Sequence, residues 1–189
     1  MLEWLIDIDR DIFLILNGWG GSSWNYFWLL MSEKWVGAPL LLLFFYAIVK
    51  FWGYKKALLT LLCIGVLIAC TDQLANFFKW GVARPRPCYA ANLEGLVQLV
   101  KNSCGGPYGF FSAHAANSMA VALFMSRLLK ERWSWFVFPA VVMALLVGYS
   151  RIYIGVHYPL DVLFGFGIGA LLAYIMAHIC SRLITNNHV

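Results

Sequence analysis

Charged side chains are scarce in this sequence: only 12% of its 189 residues are Asp, Glu, Lys or Arg, whereas 62% are hydrophobic. A soluble globular domain carries about twice that share of charge, so the composition excludes an ordinary soluble protein. The net charge of +5 does not indicate nucleic-acid binding, because the basic residues are scattered between hydrophobic stretches and form no basic domain.

The sequence also lacks the signals of processing and of repetition. Its first residues have neither the basic start nor the small-residue cleavage site of a secretory signal, so we expect them to remain in the mature protein. Because internal repeats and low-complexity tracts are absent too, residues 1–189 are expected to form a single integral membrane domain.

Long apolar runs are abundant. A helix needs about 20 apolar residues to cross a bilayer, and five stretches predict an all-α, polytopic transmembrane bundle of about five spanning helices, over residues 35–49, 57–78, 113–129, 133–149 and 160–179. Residues 1–22 place Asp7, Asp9, Arg10 and Asp11 among apolar residues of helical period. That pattern predicts an N-terminal amphipathic helix lying in the membrane interface.

Polar residues gather at three places beside these runs. In KWGVARPRP, Pro85 and Pro87 end a helix and hold Arg86 on an extended segment. Lys79 begins the same stretch, in the last part of that helix. The two cations are candidates for binding an anion. A basic juxtamembrane stretch that touches lipid head groups, Arg84 included, is the alternative.

The second place is GFFSAHAANS, at the start of the third predicted span. Ser112 is a natural N-cap there, and His114 lies in the first turn, with Asn117 and Ser118 continuing the same face. The free backbone N–H groups and the positive end of the helix dipole favour an anion. The alternative is a capping serine beside an interfacial histidine.

The third place is SRIYIGVHYPLD. Pro159 fits the first turn of the last helix, so His157 lies just ahead of it and Asp161 about one turn later. Asp161 can then accept the N–H of one imidazole nitrogen and leave the other unprotonated. A capping Asp with an exposed His is the alternative, which the adjoining Arg151 and the two other clusters disfavour.

The three clusters lie on one side of the predicted bundle, so the helix ends would bring them together. Cations, a hydroxyl, a helix N-terminus and two histidines are the groups that phosphoryl transfer needs. His and Asp side chains could instead bind a metal ion. The three clusters, however, contain too few carboxylates and too many cations to bind a divalent ion. Asp72 and Asn76 share a helical face with Lys79. They are expected to line the bundle interior and to hold the Lys79 side chain in position.

The number of Lys and Arg residues predicts which side this is. Seven basic residues fall on each side of a five-span topology, but Lys79, Arg86 and Arg151 are reserved for the anion site, which leaves seven against four. The polar clusters and the loop 80–111 are therefore expected outside the cytoplasmic face. In that oxidising compartment Cys88 and Cys104 are candidates for a disulfide, worth about 3 kcal/mol for a loop of about 17 residues.

At these residues the sequence resembles the type 2 phosphatidic acid phosphatase family of membrane lipid phosphatases. The family pattern is Lys, six residues, Arg-Pro; then Pro-Ser-Gly-His; then Ser-Arg, five residues, His, three residues, Asp. The first and third parts match fully, at Lys79 to Pro87 and at Ser150 to Asp161. The second departs at Phe111 and at Ala113, which keeps its backbone N–H.

The resemblance implies a role for each matching residue. His157 would attack phosphorus to form a phosphohistidine, Asp161 would orient it, and His114 would protonate the leaving oxygen and later activate water. The phosphate oxygens would be held by Lys79, Arg86, Ser112, Ala113 N–H and Arg151. No metal and no organic cofactor is needed in such a mechanism.

The expected function is therefore hydrolysis of a lipid phosphate or diphosphate at the outer face of the cytoplasmic (inner) membrane. Family members act on undecaprenyl diphosphate, phosphatidylglycerophosphate or lipid A phosphates, and we favour the first or the last. The alternatives are a transferase of the same fold, a non-catalytic membrane scaffold and a vanadate-dependent haloperoxidase. The last is disfavoured because such enzymes are soluble, whereas this chain has five predicted spans. Membrane lipids are the only other partners expected, and the oligomeric state is left open.

Overall fold

The computed structural model describes residues 2–186, and the regular structure within that range is helical. Short 3₁₀ turns lie before the second and sixth helices and in the long loop that joins the fourth helix to the fifth. The seven α-helices are α1 Leu2–Leu16, α2 Asn25–Met31, α3 Ala38–Trp52, α4 Tyr54–Val82, α5 Ala113–Leu129, α6 Val137–Tyr153 and α7 Pro159–Asn186.

The all-helical fold is confirmed, and five of the helices fall on the five predicted spans. Three segments are long and apolar enough to cross a membrane by length and composition: Tyr54–Val82, Ser134–Tyr153 and Pro159–Thr185. The helix Ala38–Trp52 is apolar but shorter, and α5 has 17 residues. The count of five spans therefore stays a prediction.

The N-terminal helix is shorter than predicted, since it ends at Leu16 and not near residue 22. Gly18, Gly20 and Gly21 follow with positive φ, a backbone region that glycine adopts readily and that interrupts a helix. The helix also packs inward through one acidic residue, because Asp9 is 2% exposed whereas the side chains of Asp7 and Asp11 are more than half exposed.

Helices α5 and α7 make the most extensive contact in the bundle, and glycines allow their backbones to approach. A Cβ added at Gly165 would lie 2.7 Å from the carbonyl oxygen of Ser112, and one at Gly169 would overlap the backbone of Ala116. Small residues one turn apart let two helix backbones approach closely. This contact brings the start of α5 beside the start of α7, which are the two helix ends that carry His114 and Asp161.

Candidate active site

A cavity of about 590 Å³ opens at the end of the bundle where α4 and α6 finish and α5 begins. Its polar end is lined by five of the predicted residues, Lys79, Arg86, His114, Arg151 and His157. Along its length the lining is apolar and comes from α3, α4, α5 and α6, including Leu41, Ile68, Val121, Met125 and Met143. The three clusters of the sequence thus meet at one end of an elongated apolar cavity.

His157 and Asp161 form the buried pair of the site. Nδ1 of His157 lies 3.4 Å from Oδ2 of Asp161 without forming a hydrogen bond, and the two side chains are 3% and 0% exposed. Burial, opposed by the Asp161 carboxylate, lowers the pKa of His157 to about 4. The imidazole is therefore neutral at neutral pH, with Nδ1 beside the carboxylate and Nε2 available to a ligand.

The start of α5 supplies His114 and a row of backbone N–H groups. Ser112 is the N-cap, as predicted, and its hydroxyl accepts from the N–H of Ala115 at 3.5 Å. Ser112 is fully buried and does not line the cavity, whereas Ala113 and His114 do. The structure therefore shows the Ser112 hydroxyl as the cap of α5, behind the residues that line the cavity, and its contact with a phosphate stays a prediction.

The cations are held by different parts of the chain. Arg86 is extended, and its guanidinium donates to the carbonyl oxygens of Cys104 at 3.0 Å and Tyr108 at 3.2 Å. Arg151 is 7% exposed and donates through Nη1 to the Ser32 hydroxyl, while its Nε has no partner. Arg151 lines the cavity, and a buried guanidinium with an unpaired N–H can still donate to an anionic oxygen bound there.

Comparison with known proteins agrees with this geometry. The family model of the PAP2 superfamily matches residues 56–184, a range that includes Lys79, Arg86, His114, Arg151 and His157 of the cavity lining. The chain belongs to the PAP2 superfamily. The PAP2 assignment confirms the resemblance drawn from the three motifs.

Two curated relatives match almost the whole chain. A lipid A 4′-phosphatase of Bacteroides thetaiotaomicron is 36% identical over 184 residues, covering 94% of this chain and 80% of that protein. A lipid A 4′-phosphatase of Porphyromonas gingivalis is 33% identical, with 92% and 73% covered. The crystal structure of a transmembrane PAP2-type phosphatidylglycerolphosphate phosphatase from Bacillus subtilis superposes with a TM-score of 0.71, at 24% identity, covering 94% of this chain and 87% of that one.

Arg84 does not have the lipid-head-group role that the sequence offers for it. Its guanidinium pairs with Asp161 at 3.0 Å and with Asp9 at 2.7 Å. It also lies 4.0 Å from the centre of the Tyr158 ring. Its position inside the ARPRP stretch, two residues before Arg86, was the only signal that could have indicated this.

Gly109 was also missed as a residue of the site. A Cβ at this position would lie 3.2 Å from Oδ2 of Asp161 and 3.6 Å from Nδ1 of His157. Its N–H donates to the carbonyl oxygen of Arg84 at 2.9 Å, which fixes the loop over the pair. The loop backbone therefore closes over the carboxylate and the imidazole at a distance that only glycine allows without a shift.

Asp72 lines the cavity as predicted, but Asn76 does not. Asp72 accepts from the Asn117 side chain at 2.8 Å, and Asn117 in turn accepts from the Thr71 hydroxyl. Asn76 is exposed on the outer surface of α4. Asn76 lies three residues before Lys79, so its side chain is rotated by about 60° around the helix axis relative to that of Lys79. This rotation is enough to take the Asn76 side chain off the face that lines the cavity.

The loop that holds Arg86 also contains the predicted disulfide. Cys88 and Cys104 lie side by side in space, with Cα atoms 6.4 Å apart, within the range that a disulfide spans.

Peptide mapping after thiol alkylation of the folded protein is expected to find both cysteines unmodified until a reductant is added. Reduction is expected to raise the KM several-fold, because Cys104 carries a carbonyl that Arg86 binds. Alkylation of both cysteines without reductant would contradict the bridge, and labelling of both after reduction is the internal control.

Proposed function

We propose that this PAP2 chain removes the phosphate of a lipid phosphate monoester of the lipid A class, at the extracytoplasmic face of the cytoplasmic membrane. One observation carries the proposal: cations and two histidines occupy one end of a cavity whose remaining length is apolar. From His114 to Met125 the cavity follows α5 for about 16 Å, which suits an acyl chain attached to an anionic head group. The two lipid A 4′-phosphatases that match over nine-tenths of the chain support that choice of head group.

In the first step Nε2 of neutral His157 attacks phosphorus, so that an N–P bond forms as the P–O bond to the lipid breaks. His114, held as the imidazolium by the negative charge of the bound phosphate, gives its proton to the leaving oxygen, which departs as the lipid alcohol. Lys79, Arg86, Arg151 and the N–H groups at the start of α5 neutralise the charge on the three equatorial oxygens, where most of the catalytic stabilisation arises.

In the second step His114, now neutral, takes a proton from a water molecule as that water attacks the phosphohistidine. The N–P bond breaks, inorganic phosphate leaves, and both histidines return to their starting protonation states. The Asp161 carboxylate stabilises positive charge on the His157 ring from its Nδ1 side, at the 3.4 Å separation.

The mechanism proposed needs no metal ion. Within residues 2–186 no three His, Cys, Asp or Glu side chains group in a way that would hold one. The charge that a divalent ion would neutralise is met by the cations of the cavity wall. Arginine guanidinium groups suit this role because their planar donors match phosphate oxygens.

The proposal is tested by measuring phosphate release from a panel of lipids by the purified protein in detergent. Lipid A, undecaprenyl diphosphate and phosphatidylglycerophosphate are compared, each with and without excess chelator. We expect lipid A to lose one phosphate fastest, at a rate that chelator leaves unchanged. Faster release from the diphosphate would contradict the substrate class, phosphate found on an added alcohol would indicate a transferase, and loss of activity restored by one divalent ion would contradict the metal-free mechanism.

A further inference from the structure

The strongest feature that the mechanism leaves unused is a chain of buried charges behind the His157–Asp161 pair. Arg84 bridges two carboxylates, with Nη1 3.0 Å from Oδ1 of Asp161 and Nη2 2.7 Å from Oδ2 of Asp9. Both carboxylates are at least 98% buried, and the Arg84 side chain is 16% exposed. The three groups therefore form one buried ion-pair network that ends at the imidazole.

Asp9 makes a second contact that ties α1 to the same place. Its Oδ1 accepts from the N–H of Leu160 at 2.8 Å, which is a free donor in the first turn of α7. Asp161 lies next along that helix, and its Oδ2 accepts from the N–H of Tyr158 at 3.0 Å. One carboxylate on α1 thus holds both the helix start that carries Asp161 and the arginine that binds Asp161.

The rest of α1 is docked firmly enough for Asp9 to act as a fixed point. The rings of Phe13 and Tyr158 meet edge to face with centroids 5.4 Å apart. Asn17, just after the helix, donates to the carbonyl oxygens of Tyr153 at 2.7 Å and Gln98 at 3.1 Å. Residue 9 lies outside the region matched by the PAP2 model, so the contact adds an element that the family motifs do not contain.

We propose that Asp9 is a positioning residue for the reaction: through Arg84 it sets the orientation and the charge balance of Asp161, and through Asp161 those of His157. This inference rests on the proposed phosphatase function. A buried carboxylate with two hydrogen-bond donors is held in one rotamer, and breaking such a pair leaves a buried charge without its partner. Burial raises the pKa of Asp9 and Arg84 lowers it, so the ionised state of Asp9 depends on the same arginine.

Electrostatics predict opposite consequences for the two ends of the network. Replacing Arg84 by glutamine removes a positive charge beside Asp161, which favours the imidazolium form of His157 and raises its pKa. Replacing Asp9 by asparagine removes a negative charge, which leaves Arg84 balanced by Asp161 alone and disfavours the imidazolium. The other charged or titratable groups that line the cavity with His157 are unchanged by either substitution. They are Glu33 and Lys34 before α3, Asp72 and Lys79 on α4, Arg86 on the loop, His114 on α5 and Arg151 on α6.

The test is steady-state kinetics of Asp9→Asn, Arg84→Gln and the double variant in detergent, with Asp11→Asn as the matched control on α1. Asp11 has the same chemistry, but its side chain is 71% exposed and 3.9 Å from Arg10. We expect Asp9→Asn to lower kcat about tenfold or more with little change in KM, as loss of an orienting partner does at other sites. Asp11→Asn is expected to match the unsubstituted protein.

Three further readouts separate positioning from simple support of the fold. The acid limb of kcat/KM is expected to move to higher pH in Arg84→Gln and not in Asp9→Asn, and Asp9→Glu is expected to recover part of kcat. In the Arg84→Gln background, Asp9→Asn is expected to change kcat little further, because the two act in series. Additive losses, or the same acid limb in both variants, would overturn the inference. If the unsubstituted protein released no phosphate, that result would instead contradict the proposed function itself.

Discussion

Replacing His157 by alanine is expected to abolish phosphate release, with kcat reduced by about 10⁶-fold, the size of loss seen when other enzymes lose their nucleophile. The reason is that His157 is the only imidazole of the cavity paired with a carboxylate within the described part of the chain. His178→Ala is the matched control, because that histidine is exposed on α7 and lies about 30 Å along the helix from its start.

The same substitution tests the covalent intermediate. With a substrate carrying labelled phosphate, rapid denaturation is expected to trap a protein-bound label that acid removes and alkali does not, the behaviour of a P–N bond. His157→Ala is expected to carry no label. His114→Ala is expected to accumulate label from an aryl phosphate, whose leaving group departs without a proton while water attack lacks its base. Label that persists in His157→Ala would refute the phosphohistidine.

Much of this arrangement follows from local sequence. The proline pair after α4 predicts the extended backbone at Arg86, and the structure has it there with φ −69° and ψ 157°. Ser112 predicts the start of α5, and Pro159 the start of α7, because each residue type fits one position at a helix N-terminus. The meeting of the clusters then follows from the alternation of helices across a membrane.

The contacts that could not be predicted are those between residues far apart in sequence. Asp9 and Arg84 are 75 residues apart. The residues three and four positions from Asp9 on α1 are all apolar, so the periodicity places Asp9 on the buried face but does not indicate its partner. The partner of Arg151 is Ser32, which interrupts an apolar patch and carries no motif. Such pairs depend on how helices rotate and dock, which a 3.6-residue period constrains only to about one face.

Asn76 shows the same limit within a single helix. An i, i+4, i+7 pattern places Asp72, Asn76 and Lys79 on one broad face, yet the cavity covers only the part that includes Asp72 and Lys79. The width of the buried face is set by the neighbouring helices and not by α4 itself. Sequence periodicity therefore predicted the correct face but not its edge.

Replacing Arg151 by glutamine is expected to lower kcat/KM by about 10²- to 10³-fold, the usual effect of removing one donor that stabilises developing charge. Glutamine retains a polar group of similar length, so the Ser32 hydroxyl keeps a neighbour and the buried site loses mainly charge. Because negative charge on the equatorial oxygens is best matched in the transition state, the loss is expected mainly in kcat and less in KM.

Arg151→Lys separates charge from geometry at the same position. Lysine restores the positive charge but not the planar fork that donates to Ser32 and to a phosphate oxygen together, so we expect only partial recovery of kcat/KM. Arg127→Gln is the matched control, since Arg127 lies in the last turn of α5 and stacks on Tyr174 at 4.7 Å. Equal losses in Arg151→Gln and Arg127→Gln would show that the effect comes from general destabilisation and not from the guanidinium charge at the cavity wall.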